Sequence, residues 1–353
     1  MKILMFVNWN VLYCEERPLD KQPPDYYIKG EDYWFFRYFK DKPEVDVIDT
    51  HSFPWLEKIE KNKIRFYIWQ TLKILPRLWK YDLIISHGMQ SGIVLSLFRR
   101  VFPKSPKHIV FDIGSFNSAA ETGFALKLMQ FASKSINGVI YHTSNQMEYY
   151  KEFFPWIVEK SQFMLFGTDK EFFNSIEEKY FVNRKDYIVC IGYNKRDWDT
   201  LCKAYASLDT QVTLRLIGNK DYQCENANIE VIPSMSIHAL MKEIQGALFC
   251  VLPLQNFNYS FGQMTLLQQM AMGKAVIVAK VHSMVDYVKD KENVLLYEAE
   301  NVSHLYEKMK MLLEDKNMCV KLGSQAKEYI QNENNEEIMA GLIEAYLEKV
   351  GQE

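Results

Sequence analysis

Two short stretches of the sequence join a glycine turn to residues able to meet a charged or hydroxyl-rich ligand. In Ile191-Gly192-Tyr193-Asn194-Lys195-Arg196 an apolar run ends in glycine, and two cations follow at the expected start of a helix. Such a place suits a diphosphate, through free backbone N–H groups and charge-assisted bonds, although paired basic residues seen alone are more often only solvated. Phe261-Gly262-Gln263 opens the second stretch, which continues as an amphipathic helix through Met270-Ala271, a second glycine stop at Gly273 and an apolar strand. The N-terminus of that helix can bind an anion or a sugar hydroxyl; the same pattern also describes an ordinary turn-helix-strand unit. His87 closes Leu83-Ile84-Ile85-Ser86 ahead of Gly88, and Asp112 closes Ile109-Val110-Phe111 ahead of Gly114. Both fall at strand ends, where open α/β sheets bind ligands. A lone histidine is more often a satisfied structural residue. Asp112 can orient a hydroxyl or act as a general base, or it can cap the loop that follows. Asp197-Trp198-Asp199 spells Asp-x-Asp but reads as capping and dipole compensation at a helix start. The six cysteines contain no Cys-x-x-Cys pair, so neither zinc nor disulfides are expected.

The elements that must hold these residues alternate as short apolar runs and longer helical patterns, the signature of a parallel α/β architecture. Ile3–Val7, Val45–Ile48, Leu83–Ser86, Ile109–Phe111 and Val139–Tyr141 form one series of expected strands. Tyr187–Ile191, Val212–Ile217, Ile229–Ile232, Leu248–Leu252 and Ala275–Ala279 form a second. Two Rossmann-like domains facing across a cleft follow, over residues 1–165 and 166–335. The boundary is expected at the Phe166-Gly167-Thr168-Asp169 turn and the charged Glu177-Glu178-Lys179. The final segment, 336–353, reads as a helix with an apolar stripe of Ile338, Leu342, Ile343 and Leu347, packing back toward the first domain.

The chain has 353 residues, 48 % of them hydrophobic and 25 % charged, which is enough for two cores and excludes a disordered or fibrous protein. No apolar run reaches the ~18 residues of a bilayer span, and the N-terminal run is too short for a secretory signal, so a cytosolic protein is expected. The net charge is −3, divided as +4 over 1–165 and −7 over 166–353. This lacks the concentrated basic face of a nucleic-acid binder. Residues 57–80 do concentrate cations (Lys58, Lys61, Lys63, Arg65, Lys73, Arg77, Lys80) among Phe66, Tyr67, Trp69 and Trp79. They read either as a helix with Ile64, Ile68, Leu72 and Leu75 turned inward or as a contact for an anionic membrane surface; one helix can do both.

The segment Phe261-Gly262 through Leu267-Gln268-Gln269-Met270-Ala271 and Gly273-Lys274-Ala275-Val276-Ile277 resembles the family 4 glycosyltransferases of the GT-B fold. Asp286-Tyr287-Val288, Leu165-Phe166-Gly167-Thr168-Asp169, the Gly192 loop and Asp82-Leu83-Ile84-Ile85-Ser86-His87-Gly88 also match that family's pattern. The resemblance implies transfer of a sugar, with retention and without metal or cofactor, from a nucleotide-diphosphate donor to a hydroxyl of a glycan or lipid-linked acceptor. It implies Lys195 and Arg196 beside Gly192 at the diphosphate, and Gly262, Gln263 and Gln268 near the sugar and ribose. His87 would contact donor sugar or acceptor. The sequence departs from the family where two glutamates are usual: Ser260 and Gln268 stand there. A glutamine can still bond ribose hydroxyls, but it carries no charge. A non-catalytic partner subunit that keeps the fold is the alternative.

Overall fold

The computed structural model describes residues 1–18, 20–117, 121–175, 186–219, 221–257 and 260–352; Glu177-Glu178-Lys179 lie outside them. The described residues form two six-stranded parallel sheets and a two-stranded one. The first large sheet takes β1 (Lys2–Phe6), β4 (Glu44–Ile48), β5 (Leu83–His87), β6 (Lys107–Asp112), β7 (Gly138–Tyr141) and β8 (Ser161–Phe163), in the order β4-β1-β5-β6-β7-β8. Between β1 and β4 the chain makes the small parallel pair β2 (Leu12–Cys14) and β3 (Tyr26–Ile28). The second large sheet takes β9 (Tyr187–Ile191), β10 (Thr213–Gly218), β11 (Ile229–Pro233), β12 (Cys250–Leu252), β13 (Val276–Lys280) and β14 (Leu295–Glu298), ordered β11-β10-β9-β12-β13-β14. Strands such as β5 and β9 are buried along their whole length, as parallel strands covered by helices on both faces must be. The fold is α/β, of the GT-B kind with two Rossmann-like domains.

In each sheet the order reverses beside the first strand, at β1/β5 and at β9/β12. Crevices open at such switch points, beyond the strands' C-terminal ends. They fall at His87 and at the Gly192 loop.

The helix Glu336–Gln352 crosses back onto the first sheet. Its Met339, Ala340, Ile343, Tyr346, Leu347 and Val350 share a core with Ile3, Met5, Ile85 and Ile109. Ile343 and Leu347 lie on the inner stripe as expected, whereas Ile338 and Leu342 are exposed; Met339, Ala340 and Tyr346 complete the stripe, and Tyr346 Oη accepts a hydrogen bond from Val139 N at 3.1 Å.

Residues 57–80 also depart from expectation. Helix Pro54–Ile59 runs into a wide turn over Glu60–Ile64 and stops at Arg65 (φ +58°), and a new helix begins at Ile68. The buried Glu60 carboxylate accepts from Ile68 N (2.7 Å) and Trp69 N (2.8 Å), satisfying two N–H groups of the second helix and fixing its start. Its phase therefore buries Gln70, Thr71 and Ile74 while Leu72 is exposed. Among the described residues, no helix is long and apolar enough to cross a membrane.

Candidate active site

A cavity of about 330 Å³ lies between the two lobes. His87, Ile113, His142 and Phe166 wall it from one side, and Asn194 to Arg196 with Ser260 to Thr265 from the other. Of the expected site residues the fold thus brings together His87, Lys195, Arg196, Gly262 and Gln263. Gly192 forms the back of the same loop, facing an adjoining hollow against Ile217, Gly218 and Leu240.

The cationic corner is built by two glycine units. Gly192 has φ +82°, and a Cβ there would stand 3.1 Å from Nη2 of Arg196. Only glycine lets the loop fold back over the guanidinium without strain. Arg196 donates from Nε to the Ile191 carbonyl (3.0 Å), from Nη1 to the Asn194 carbonyl (3.1 Å) and from Nη2 to Thr265 Oγ1 (3.1 Å), linking the Gly192 loop to the helix Gln263–Ala271. All three acceptors are neutral, and burial lowers the Arg196 pKa. Among the described residues, the cavity lining holds Lys195 and Arg196 and no carboxylate. A desolvated cation held this way gains from an anion arriving opposite it. Lys195 sits at φ +57° with Nζ 3.8 Å from the centre of the Phe257 ring. The two cations precede the next helix instead of starting it: Asp197 is its N-cap, accepting from Thr200 N at 3.0 Å, and the helix begins at Trp198. Asp197 therefore caps.

At the other corner, Gly262 (φ +84°) turns the chain into the helix Gln263–Ala271, whose first turn lines the cavity. Free N–H groups of that turn add to the positive field. The Gln263 side chain is occupied, donating to the Ser283 carbonyl at 2.9 Å.

On the first lobe, His87 is buried beneath an aromatic cradle. Its ring lies edge-on to Trp9 (4.6 Å between centroids) and 5.9 Å from Trp34. Nδ1 has no partner among the described residues, and burial pushes the pKa down to about 3, so the ring is neutral. A second histidine escaped the sequence reading. His142 ends the run Val139-Ile140-Tyr141 as His87 ends its own, lines the same cavity and bonds Met164 O through Nδ1 at 2.9 Å. A carbonyl can only accept, so Nδ1 carries the proton and Nε2 is left as an acceptor. Burial lowers this ring's pKa to about 4.

Two expected site residues are elsewhere. Asp112 is fully buried and its oxygens are taken: Oδ1 accepts from Gly114 N, Ser115 N, Ser115 Oγ and Phe116 N, and Oδ2 from Gln146 Nε2 and the Tyr150 hydroxyl. Burial raises its pKa. A carboxylate so saturated has no lone pair left for a substrate hydroxyl; Asp112 caps the loop that follows β6 and does not act as a general base. Gln268 lies one helical turn below the cavity, where its Nε2 donates to Gln22 Oε1 of the first lobe at 3.0 Å. It does not line the space beside Arg196.

Residues 174–329 match the family model described as "Glycosyl transferases group 1". No curated protein sequence matches the chain. Among solved structures, the chain is similar to sucrose-phosphate synthase of Thermosynechococcus elongatus, with 16 % identity, a TM-score of 0.73 and 99 % of each chain covered. It is also similar to HepE of Anabaena in complex with UDP, at 14 % identity and a TM-score of 0.70 over 99 % of this chain and 100 % of that one. The HepE structure with UDP-glucose gives 13 %, 0.69 and the same coverage.

Proposed function

We propose that this chain, which carries a group 1 glycosyltransferase domain on a GT-B fold, moves a sugar from a nucleotide-diphosphate sugar to a hydroxyl of a glycan or lipid-linked acceptor. The observation that carries this reading is Arg196, a half-buried cation whose three acceptors are all neutral, beside Lys195 and a helix N-terminus in the cleft between the lobes. A diphosphate supplies the missing negative charge, and as the glycosidic bond breaks that charge grows, so the fixed cations stabilise the transition state more than the ground state. In this reading the base lies in the hollow between Gly192, Gly218 and Leu240, and the sugar points toward His87. Donor and acceptor meet with retention, without a metal, and with water excluded by closure of the lobes. UDP-glucose, bound by HepE, is the first donor to try. The exposed Phe53, Trp55 and Trp79, flanked by exposed Lys58, Lys61, Lys63, Arg65, Arg77 and Lys80, would set the first lobe against an anionic membrane surface on the cytoplasmic side.

The absence of a carboxylate among the described residues that line the cavity and the engagement of Gln268 with Gln22 favour a second reading, a partner subunit that binds nucleotide or glycan without turnover. Calorimetric titration with a panel of nucleoside diphosphates and their sugars, followed by donor-hydrolysis and transfer assays, separates the two. Turnover establishes the enzyme; tight binding with no turnover establishes the partner subunit; no binding of any nucleotide rejects both.

A further inference from the structure

Trp34 combines three features that meet at no other described residue. Its backbone is left-handed, with φ +50°, a conformation that is a genuine outlier for a bulky side chain and that persists only where the surroundings enforce it. Its indole Nε1 donates to Glu336 Oε1 at 3.0 Å, across to the residue where the chain returns from the second lobe and the last helix begins. Its ring lies 5.9 Å from His87 and 5.9 Å from Trp9, the other wall of the histidine's cradle.

The indole is held at a junction of both chain crossings. Arg37, three residues on, reaches Glu336 Oε2 at 2.8 Å and Asp169 Oδ2 at 2.9 Å. Asp169 belongs to the outgoing crossing, where it caps the short helix Lys170–Phe173. Glu336 and Asp169 are both buried, so the two crossings are pinned to the one segment Trp34–Tyr38 of the first lobe. Phe166, on the outgoing crossing, has its ring centroid 6.3 Å from that of Trp34, tilted against it, and lines the cavity. Glu336 opens the helix that packs in the first lobe's core, so it is fixed to that lobe, and it holds the indole that walls His87.

We infer that Trp34 is a positioning residue: held by Glu336, its indole sets the orientation of the His87 ring. The inference rests on the reading that His87 faces the transferred sugar. With the indole N–H tied to Glu336 the histidine ring is held; without that bond the indole turns and the ring tilts. Such a tilt alters the chemistry while leaving the diphosphate contacts of the second lobe untouched.

The test uses the full chain labelled at its seven histidines, with the Cε1–Hε1 signal of His87 assigned by its loss in His87→Gln. Two variants release the indole from Glu336 by different routes: Trp34→Phe keeps an aromatic ring without a donor, and Glu336→Ala leaves the core ring untouched. Each is expected to shift the His87 signal and to lower donor turnover about five- to tenfold, the worth of one lost hydrogen bond, while Kd for the nucleoside diphosphate stays within about twofold. Glu336→Gln, which keeps an acceptor for the indole, is expected to restore both. A His87 signal unmoved in Glu336→Ala overturns the inference. A signal that moves in a protein that neither binds nor turns over any nucleotide sugar leaves the positioning of His87 by Trp34 standing and overturns the reading of the cavity beneath it.

Discussion

Gln22 and Gln268 join the two lobes by a single amide hydrogen bond of 3.0 Å between residues 246 apart in the chain. The contact comes from the stretch after β2, where Arg17 also stacks on Phe172 of the second lobe at 5.2 Å. It engages the glutamine that, by resemblance, would meet the donor ribose.

If ribose and Gln22 compete for that amide, Gln22→Ala tightens nucleoside diphosphate binding by about three- to tenfold, one net hydrogen bond, and Gln268→Ala weakens it. Titrating the nucleoside diphosphate into both variants decides the matter. Weaker binding by Gln22→Ala would instead make Gln22 part of the ligand site.

Arg196→Ala is expected to reduce kcat by the equivalent of about 2 to 4 kcal/mol, as for loss of a preorganised donor to developing charge. Binding of the nucleoside diphosphate should weaken much more than that of the nucleoside. Because the guanidinium also ties the Ile191 and Asn194 carbonyls, Arg196→Lys serves as control: it restores charge but not the three-way bonding. An alanine variant that binds the diphosphate normally sinks the donor-site assignment.

Glu336 is held by burial at a pKa of about 7, above the ordinary carboxyl value, despite Arg37 beside it. The folded protein therefore binds a proton that the unfolded chain has released between about pH 4.5 and 7, and this group's contribution to stability falls as pH rises through that window. At pH 8 the buried charge costs on the order of 3 kcal/mol relative to low pH. Glu336→Gln should accordingly raise the melting temperature at pH 8 and change it little at pH 5. Equal shifts at both values would show that the carboxylate is already charged at pH 5.

The full chain should sediment weakly with anionic vesicles at low salt, through its first lobe, and be released as salt rises, since exposed charge is screened over ~8 Å at physiological ionic strength. Trp55→Ala and Trp79→Ala, both exposed, should weaken the association without lowering the melting temperature. Equal recovery on neutral and anionic vesicles excludes a charge-led membrane contact.

Five strands of each large sheet, all but the edge strands β8 and β14, were legible because a parallel strand covered on two faces is a short unbroken apolar run, as in Leu83-Ile84-Ile85 or Tyr187-Ile188-Val189. β2, β3 and β8 lack that signal: each is three residues long and exposed or half-buried. The Gly192 and Gly262 turns were equally plain, since glycine followed by a helical pattern is local information. What stayed hidden depends on distant partners. Nothing around Asp112 announces that Tyr150 and Gln146 will consume its second oxygen, and nothing near Gln268 points to Gln22. The phase error in 57–80 has one cause, the cap that Glu60 supplies to a helix beginning eight residues later. His142 was within reach: the rule that singled out His87, an apolar strand closing in histidine, holds for Val139-Ile140-Tyr141-His142 as well.

The helix Glu336–Gln352 supplies a wall of the first lobe's core, with Tyr346 bonded to the backbone of β7 and Lys107 Nζ donating to the Val350 carbonyl at 2.6 Å. On the ribosome that lobe is finished last. Its strands are all made once β8 emerges, yet Ile3, Ile85 and Ile109 stay uncovered until the entire second lobe has been synthesised. At ordinary elongation rates the delay is roughly 10 to 40 s. During that interval the nascent first lobe keeps part of its apolar core open to water, while the second lobe can close its own core on schedule.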